Sequence, residues 1–335
     1  MNQSELQSWC VEAGESRFRG VQLFEWMYRH GITSFASMSN VKKSFREHLK
    51  KNCIIQTLKV EKNIPSQKET SVKILFRTEN DQFIETVSMV DGSRHTVCIS
   101  SQVGCALDCS FCATGQMGLQ RNLSTGEIVD QLIFVREKIK QPVTNVVFMG
   151  MGEPFHNYDN VINSADIFHS PRGFNLASSR ITVSTVGIRP KIEQFIKENR
   201  QYKLAISLNA VDDDVRTDIM PVNKKWPIAE LINAGKKYSN QKKRLVMFEY
   251  VLLKGINDSE MDAQKLAKLL KGISCKLNLI PYNEINGNYQ RPDEDTIQKF
   301  SEILHRYRDE YRVLVRWSKG QDIEAGCGQL AGQEA

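Results

Sequence analysis

Three cysteines, Cys105, Cys109 and Cys112, stand in C-x3-C-x2-C spacing within SSQVGCALDCSFCATGQMG. Thiolates this close on one loop are ligands for an iron–sulfur cluster or another soft metal centre. The loop follows the strand-like run TVCIS, and a loop at a strand end can wrap around a four-iron cube. Three ligands for four irons leave one iron open to a substrate or cofactor. Gly104, Gly115 and Gly118 let the backbone turn tightly there, and Phe111 can shield the group. Zinc would want a fourth ligand, for which His95 is the close candidate; three unrelated cysteines are the other alternative. Cys327 lies in AGCGQL between Gly326 and Gly328, where a thiol is accessible and mobile. An inert cysteine is the plainer reading of that residue alone. Cys98, in TVCIS, reads by itself as a small buried hydrophobe. Cys10, Cys53 and Cys275, and the scattered His156, His169 and His305, suggest no chemistry.

The elements that must position these residues follow from periodicity. Strand-like runs TVCIS, NVVFMG, RITVST, KLAISL, LVMFEYVLL, KLNLIP and RVLVRW alternate with amphipathic stretches. The helix candidates are GEIVDQLIFVREKIK, PKIEQFIKEN, IAELINAGKKYS, EMDAQKLAKLLKG and DTIQKFSEILHRY. Ser124 with Glu127 makes a capping-box start for the first of them. Repeated strand–helix units imply parallel strands with right-handed crossovers. The expectation is an α/β core over residues 95–320, a partial (β/α)6 barrel, with a doubly wound sheet as runner-up. In either fold the chemistry belongs beyond the C-terminal strand ends. Residues 1–53 read as a small basic helical domain, in which Phe18, Val21, Leu23, Phe24 and Met27 share a face and Gly31 is a stop. Residues 54–94 read as a β-hairpin extension built from SVKILFRT and QFIETVSMV. Residues 321–335 form a C-terminal segment that carries Cys327.

Bulk composition bounds the rest. The chain has 335 residues, 41% of them hydrophobic and 25% charged, as in a soluble, folded protein rather than a disordered one. No apolar run reaches membrane-spanning length. The N-terminus lacks the basic start and apolar stretch of a secretory signal, so a cytoplasmic location and no membrane partner are expected. Eight cysteines in such a chain favour metal or thiol chemistry over a disulfide framework. The net charge of +6 permits nucleic-acid binding without requiring it.

The cysteine triplet with an aromatic before its last member, opening a (β/α) domain, is similar to the radical S-adenosylmethionine (SAM) superfamily. More narrowly, SSQVGCALDCSFCATGQMG, MGMGEPFHNYDN, RITVSTVGI, FEYVLLKGINDS, CKLNLIPYN and DIEAGCGQL, in that order, resemble the RlmN/Cfr family of 23S ribosomal RNA adenine methyltransferases. GMGEP and CALDC lean to the RlmN side, which methylates adenine C2 in ribosomal RNA and also an adenine near the transfer-RNA anticodon. The Cfr side methylates C8. The resemblance implies one [4Fe–4S] cluster per chain on Cys105, Cys109 and Cys112, and two SAM molecules per turnover. It implies that Cys327 takes a methyl group, that the 5′-deoxyadenosyl radical removes a hydrogen from it, and that the carbon adds to the base. Cys98 would then release the product through a transient disulfide with Cys327, and Glu85 would accept the C2 proton. SAM contacts carry over to Gly152, Glu153, Ser184, Ser207, Leu208, Asn209 and Asn283; Asn209 stands where the family commonly has a histidine.

The resemblance further implies a monomer that meets 23S ribosomal RNA, transfer RNA and an electron donor such as flavodoxin. Candidate phosphate contacts are Arg17, Arg19, Arg29, Lys42, Lys43, Arg46, Lys50, Lys51 and Arg121. A radical SAM enzyme acting on a peptide or small molecule, and a non-catalytic RNA-binding protein with a structural metal, are the competing classes.

Overall fold

The structure, a computed structural model, describes residues 1–242, 244–285, 287–307 and 311–332. The last three residues of the expected C-terminal segment, 333–335, and residues 243, 286 and 308–310 of the expected core therefore lie outside the described residues.

Twelve strands are described: β1 (Lys59–Pro65), β2 (Ser71–Arg77), β3 (Phe83–Asp91), β4 (Arg94–Cys98), β5 (Gln102–Gly104), β6 (Leu119–Asn122), β7 (Asn145–Phe148), β8 (Ile181–Thr185), β9 (Lys203–Ser207), β10 (Val246–Leu252), β11 (Cys275–Pro281) and β12 (Arg312–Val315). The described residues of ten of them form one sheet, in the order β1-β2-β3-β4-β7-β8-β9-β10-β11-β12. From β4 to β12 every neighbour is parallel. A doubly wound sheet needs a reversal of strand order, and this order has none. The sheet curls, because Cys98 of β4 and Leu314 of β12, at the two ends of its parallel run, line the same cavity. Each of β4, β7, β8, β9, β10 and β11 is followed by helix, so six strand–helix units and a seventh parallel strand make the expected open barrel.

The elements form for local reasons. Ser124 accepts from the Glu127 N–H and Glu127 accepts from the Ser124 N–H, so the capping box opens helix Thr125–Lys138. That helix buries Ile128, Val129, Leu132 and Val135 against the sheet. Helix Tyr158–His169, not singled out in the sequence, buries Val161, Ile162, Ala165 and Phe168. The expected hairpin is β2–β3, antiparallel with Leu75 opposite Glu85. β1 extends it on one side, and β3 joins the barrel through β4 on the other.

The N-terminal helices Gln3–Glu12, Arg17–Phe24 and Lys43–Asn52 have a small core of their own, built on Cys10, Leu23, Met38, Val41, Phe45 and Leu49. Gly31 ends the second helical stretch with φ +69°, as expected. Phe18, expected on the buried face, is instead 61% exposed. It is the second residue of the helix, and the packing is supplied further along by Val21, Leu23 and Phe24.

Candidate active site

The cysteine loop is tied at its base by the short ribbon β5–β6, in which the Cys105 N–H donates to the Gly118 carbonyl at 3.0 Å. Gly104 has φ +74°, and a Cβ there would lie 1.8 Å from the Gly118 oxygen, so no other residue fits. Within the loop the Cys112 N–H donates to the Cys109 carbonyl, and Ser110 binds the Ile219 carbonyl.

Burial pushes the Cys105 thiol up to about 12, with Glu153 and Cys112 adding to it and main-chain hydrogen bonds opposing it. Burial also pushes Cys109 well above the usual thiol range, with Cys112 and Cys105 pushing the same way. Three clustered thiols whose charged forms repel one another become thiolates when a cationic centre joins them, so the donor set fits a thiolate-bound iron–sulfur cluster. His95, the close candidate for a zinc ligand, is buried with its ring nitrogens on the Ser88 hydroxyl and the Gln141 carbonyl, both at 2.8 Å. Among the described residues no three His, Cys, Asp or Glu side chains converge on a single-ion site.

Above the barrel, Cys109 and Cys112 line a cavity with Gly152, Glu153, Ser184, Ser207, Asn209, Glu249 and Cys327. Five of the seven expected SAM residues thus meet, from the ends of β7, β8 and β9. Glu153 is buried, and its carboxylate accepts the N–H groups of Phe155 and Val186, both at 2.9 Å. Burial outweighs those bonds and raises its pKa to about 7. A carboxylate so oriented and so short of solvent is suited to a cationic ammonium. Asn209 adopts φ +58°, which asparagine tolerates. Its Oδ1 accepts the Val251 N–H at 2.9 Å, and its Nδ2 faces the Met220 sulfur at 3.2 Å.

The other two expected SAM residues are elsewhere. The Leu208 side chain is fully buried in the core. Asn283 donates to the Cys327 carbonyl at 3.0 Å and accepts from Gln321 at 3.3 Å, so it holds the cysteine's loop instead of the cavity wall.

Below this space, inside the barrel, lies a second cavity that holds Cys98, Asn278 and Arg316. Cys327 and Met149 are the two residues on both walls. Burial pushes the Cys98 thiol up to about 12, with Cys327 adding to it and Arg316 opposing it. Sequence reasoning missed Arg316, and it missed Glu249, although a lone charge within LVMFEYVLL was a signal. It also missed Arg216, which is fully buried and donates to the carbonyls of Leu208, Ser207 and Val186 at 2.8–2.9 Å.

Glu85, expected to face the base, lines neither cavity. In this conformation its carboxylate pairs with Lys73 at 3.1 Å and accepts the N–H groups of Ala331 and Gly332 at 2.8 and 3.2 Å. The strand pleat turns it toward the C-terminal tail. Arg121, expected at RNA phosphates, is held by both oxygens of Glu127. Arg19 is engaged by Gln22 and the Asn40 carbonyl, and Arg46 by the Ala36 carbonyl, while Arg17, Arg29, Lys42, Lys43, Lys50 and Lys51 are exposed.

An open parallel barrel with a three-cysteine loop beyond its first strand and a polar cavity at its strand ends defines a radical SAM protein. The comparisons agree: the Radical SAM superfamily model matches residues 99–267, and the ribosomal RNA large subunit methyltransferase N-terminal domain matches residues 1–55. A probable dual-specificity RNA methyltransferase RlmN of Clostridium acetobutylicum is 43% identical over 98% of this chain and 95% of its own length. The dual-specificity RNA methyltransferase RlmN of Geotalea uraniireducens is 42% identical over 98% and 94%. The crystal structure of a radical SAM methyltransferase from Sphaerobacter thermophilus superposes with a TM-score of 0.94 at 41% identity, covering 99% of this chain and 98% of that one. The chain belongs to the RlmN family of radical SAM RNA methyltransferases.

Proposed function

We propose that this protein methylates C2 of an adenine in 23S ribosomal RNA, and of one near the transfer-RNA anticodon, with Cys327 as methyl carrier and Cys98 as the thiol that frees the product. The observation that carries this reading is the position of Cys327 on the walls of both cavities, one with the cluster cysteines and one with Cys98. The names of the RlmN relatives, dual-specificity RNA methyltransferases, support the two RNA substrates.

Adenine C2 lies between two ring nitrogens and is a poor nucleophile, so polar methyl transfer to it is disfavoured, whereas a carbon radical can add. A [4Fe–4S] cluster on Cys105, Cys109 and Cys112 with SAM in the upper cavity would supply a methyl group and, on one-electron reduction, a 5′-deoxyadenosyl radical. Glu153, Ser184, Ser207 and Asn209 are the residues that would hold SAM. The Cys327 sulfur gives up its proton and takes the methyl group. The methyl then loses one hydrogen atom, and its carbon bonds to C2. The base radical left behind must shed the C2 proton and one electron, which would return to the cluster oxidised in making the 5′-deoxyadenosyl radical. Cys98 attacks the Cys327 sulfur, the sulfur–carbon bond breaks, and a disulfide remains for an external reductant. The buried Cys98 must give up its proton first, with the Arg316 guanidinium beside it. Glu85 would accept the C2 proton only with the tail released from its carboxylate.

The test is anaerobic reconstitution with iron and sulfide, incubation with unmodified ribosomal and transfer RNA, SAM and reductant, and mass spectrometry of the nucleosides. 2-Methyladenosine is expected; the 8-methyl isomer, or no methyladenosine, would overturn the assignment. Cys98→Ala should accumulate a covalent protein–RNA adduct, and Cys327→Ala should give no product with cluster absorbance intact.

A further inference from the structure

The lower cavity is graded along the barrel axis. Cys98 and Cys327 stand at its upper end. Neutral hydrogen-bonding side chains, among them Thr96 and Asn278, line the middle. At the N-terminal ends of the strands stand Arg94, the first residue of β4; Arg180, just before β8; Lys203, the first of β9; and Lys276, the second of β11. Strand pleating sends alternate residues to one face, so Arg94, Thr96 and Cys98 share a wall, as do Lys276 and Asn278. Among the described residues none of these four cations makes an ion pair. The Arg94 guanidinium donates to the Thr96 hydroxyl at 3.3 Å, and that of Arg180 to the Asn145 amide oxygen at 3.5 Å. Among the described residues the one acid on this wall, Asp91, is bound by Lys319 at 3.2 Å.

We propose that this mouth is where the RNA strand enters, and that Arg94, Arg180, Lys203 and Lys276 grip the phosphates flanking the target base. RNA and SAM would then reach Cys327 from opposite ends of the barrel. The inference rests on the reading of Cys98 and Cys327 given above. Independently of it, burial and then the repulsion of Lys276, Arg180 and Arg94 hold the Lys203 ammonium below its usual range, a cost that a bound anion would relieve. An acidic protein surface is the lesser fit. It could press on the rim, but only a flexible strand can send a base past the cations to the polar walls and thiols beyond.

The experiment measures the affinity of cluster-loaded protein, without reductant, for an RNA hairpin with an unpaired adenine in its loop, over a series of salt concentrations. Lys203→Gln/Lys276→Gln should weaken binding about tenfold and flatten the logarithmic salt slope by roughly 1.4, since each single-strand phosphate contact contributes about 0.7. Lys203→Arg/Lys276→Arg should restore both, which separates lost charge from lost folding. Wild-type affinity and slope in the glutamine pair would overturn the proposal. So would RNA binding left intact while reduction by an acidic flavoprotein fails. Nucleoside mass spectrometry on the same samples reports the methylation reading separately: RNA held by these cations but left unmethylated would sink that reading and leave this one standing.

Discussion

Glu153 shows how one residue's surroundings decide its chemistry. The motif GMGEP places a carboxylate at a strand end, but burial is what raises its pKa to about 7. The native protein therefore holds a proton on Glu153 between pH 4.5 and about 7 that the unfolded chain has released. The sign follows: without SAM, this group makes the protein less stable as pH rises through that window. A bound ammonium favours the charged carboxylate and reverses the preference. SAM affinity should then rise about tenfold per pH unit up to about pH 7 and level off above it. Calorimetry across pH 5.5–8.5 checks this, and Glu153→Gln should bind SAM weakly with no such slope. A slope that survives in Glu153→Gln would assign the titration to another group.

At the scale of elements, the seven-residue helix Asp213–Ile219 looks minor, yet it joins three parts of the site. Its Met220 end touches Asn209, the Ile219 carbonyl takes the cysteine loop through Ser110, and Arg216 binds the carbonyls that follow β8 and end β9. Strand-end carbonyls have no ladder partner and must find donors. A guanidinium with five N–H groups supplies several at once. Arg216→Ala should leave at least two of these carbonyls unsatisfied and destabilise the protein by about 3–5 kcal/mol. Urea unfolding measures this; Arg216→Lys should recover only part, because an ammonium cannot span the same set. A loss below about 1 kcal/mol would mean that water replaces the guanidinium.

The whole molecule closes through its C-terminal tail. The Thr114 hydroxyl binds the Leu330 carbonyl, the Ala113 N–H binds Gly328, Ser66 binds Asp322, and Glu85 holds the N–H groups of Ala331 and Gly332. These contacts carry Cys327 to the junction of the two cavities, and the Glu85–Lys73 pair anchors them from the sheet extension. Glu85→Gln should leave the Lys73 ammonium buried without its partner charge, costing about 3–5 kcal/mol. Hydrogen exchange at Ala331 and Gly332 should rise tenfold or more while the barrel amides stay protected. A tail as protected as before would show that its other contacts suffice.

Much of this protein is legible along the chain. The C-x3-C-x2-C spacing, the Ser124–Glu127 box and the alternation of strand and helix are local patterns, and short-range geometry enforces them wherever the chain folds. Motif order carried the resemblance further, to Cys98 and Cys327. Spacing could not show that two residues 229 positions apart share a cavity, that Asn283 and Glu85 hold the tail in this conformation, or that Arg216 lies buried among carbonyls. Those facts depend on which faces meet when the sheet curls. The same strands laid flat would scatter Arg94, Arg180, Lys203 and Lys276 along an edge; closure brings them around one mouth.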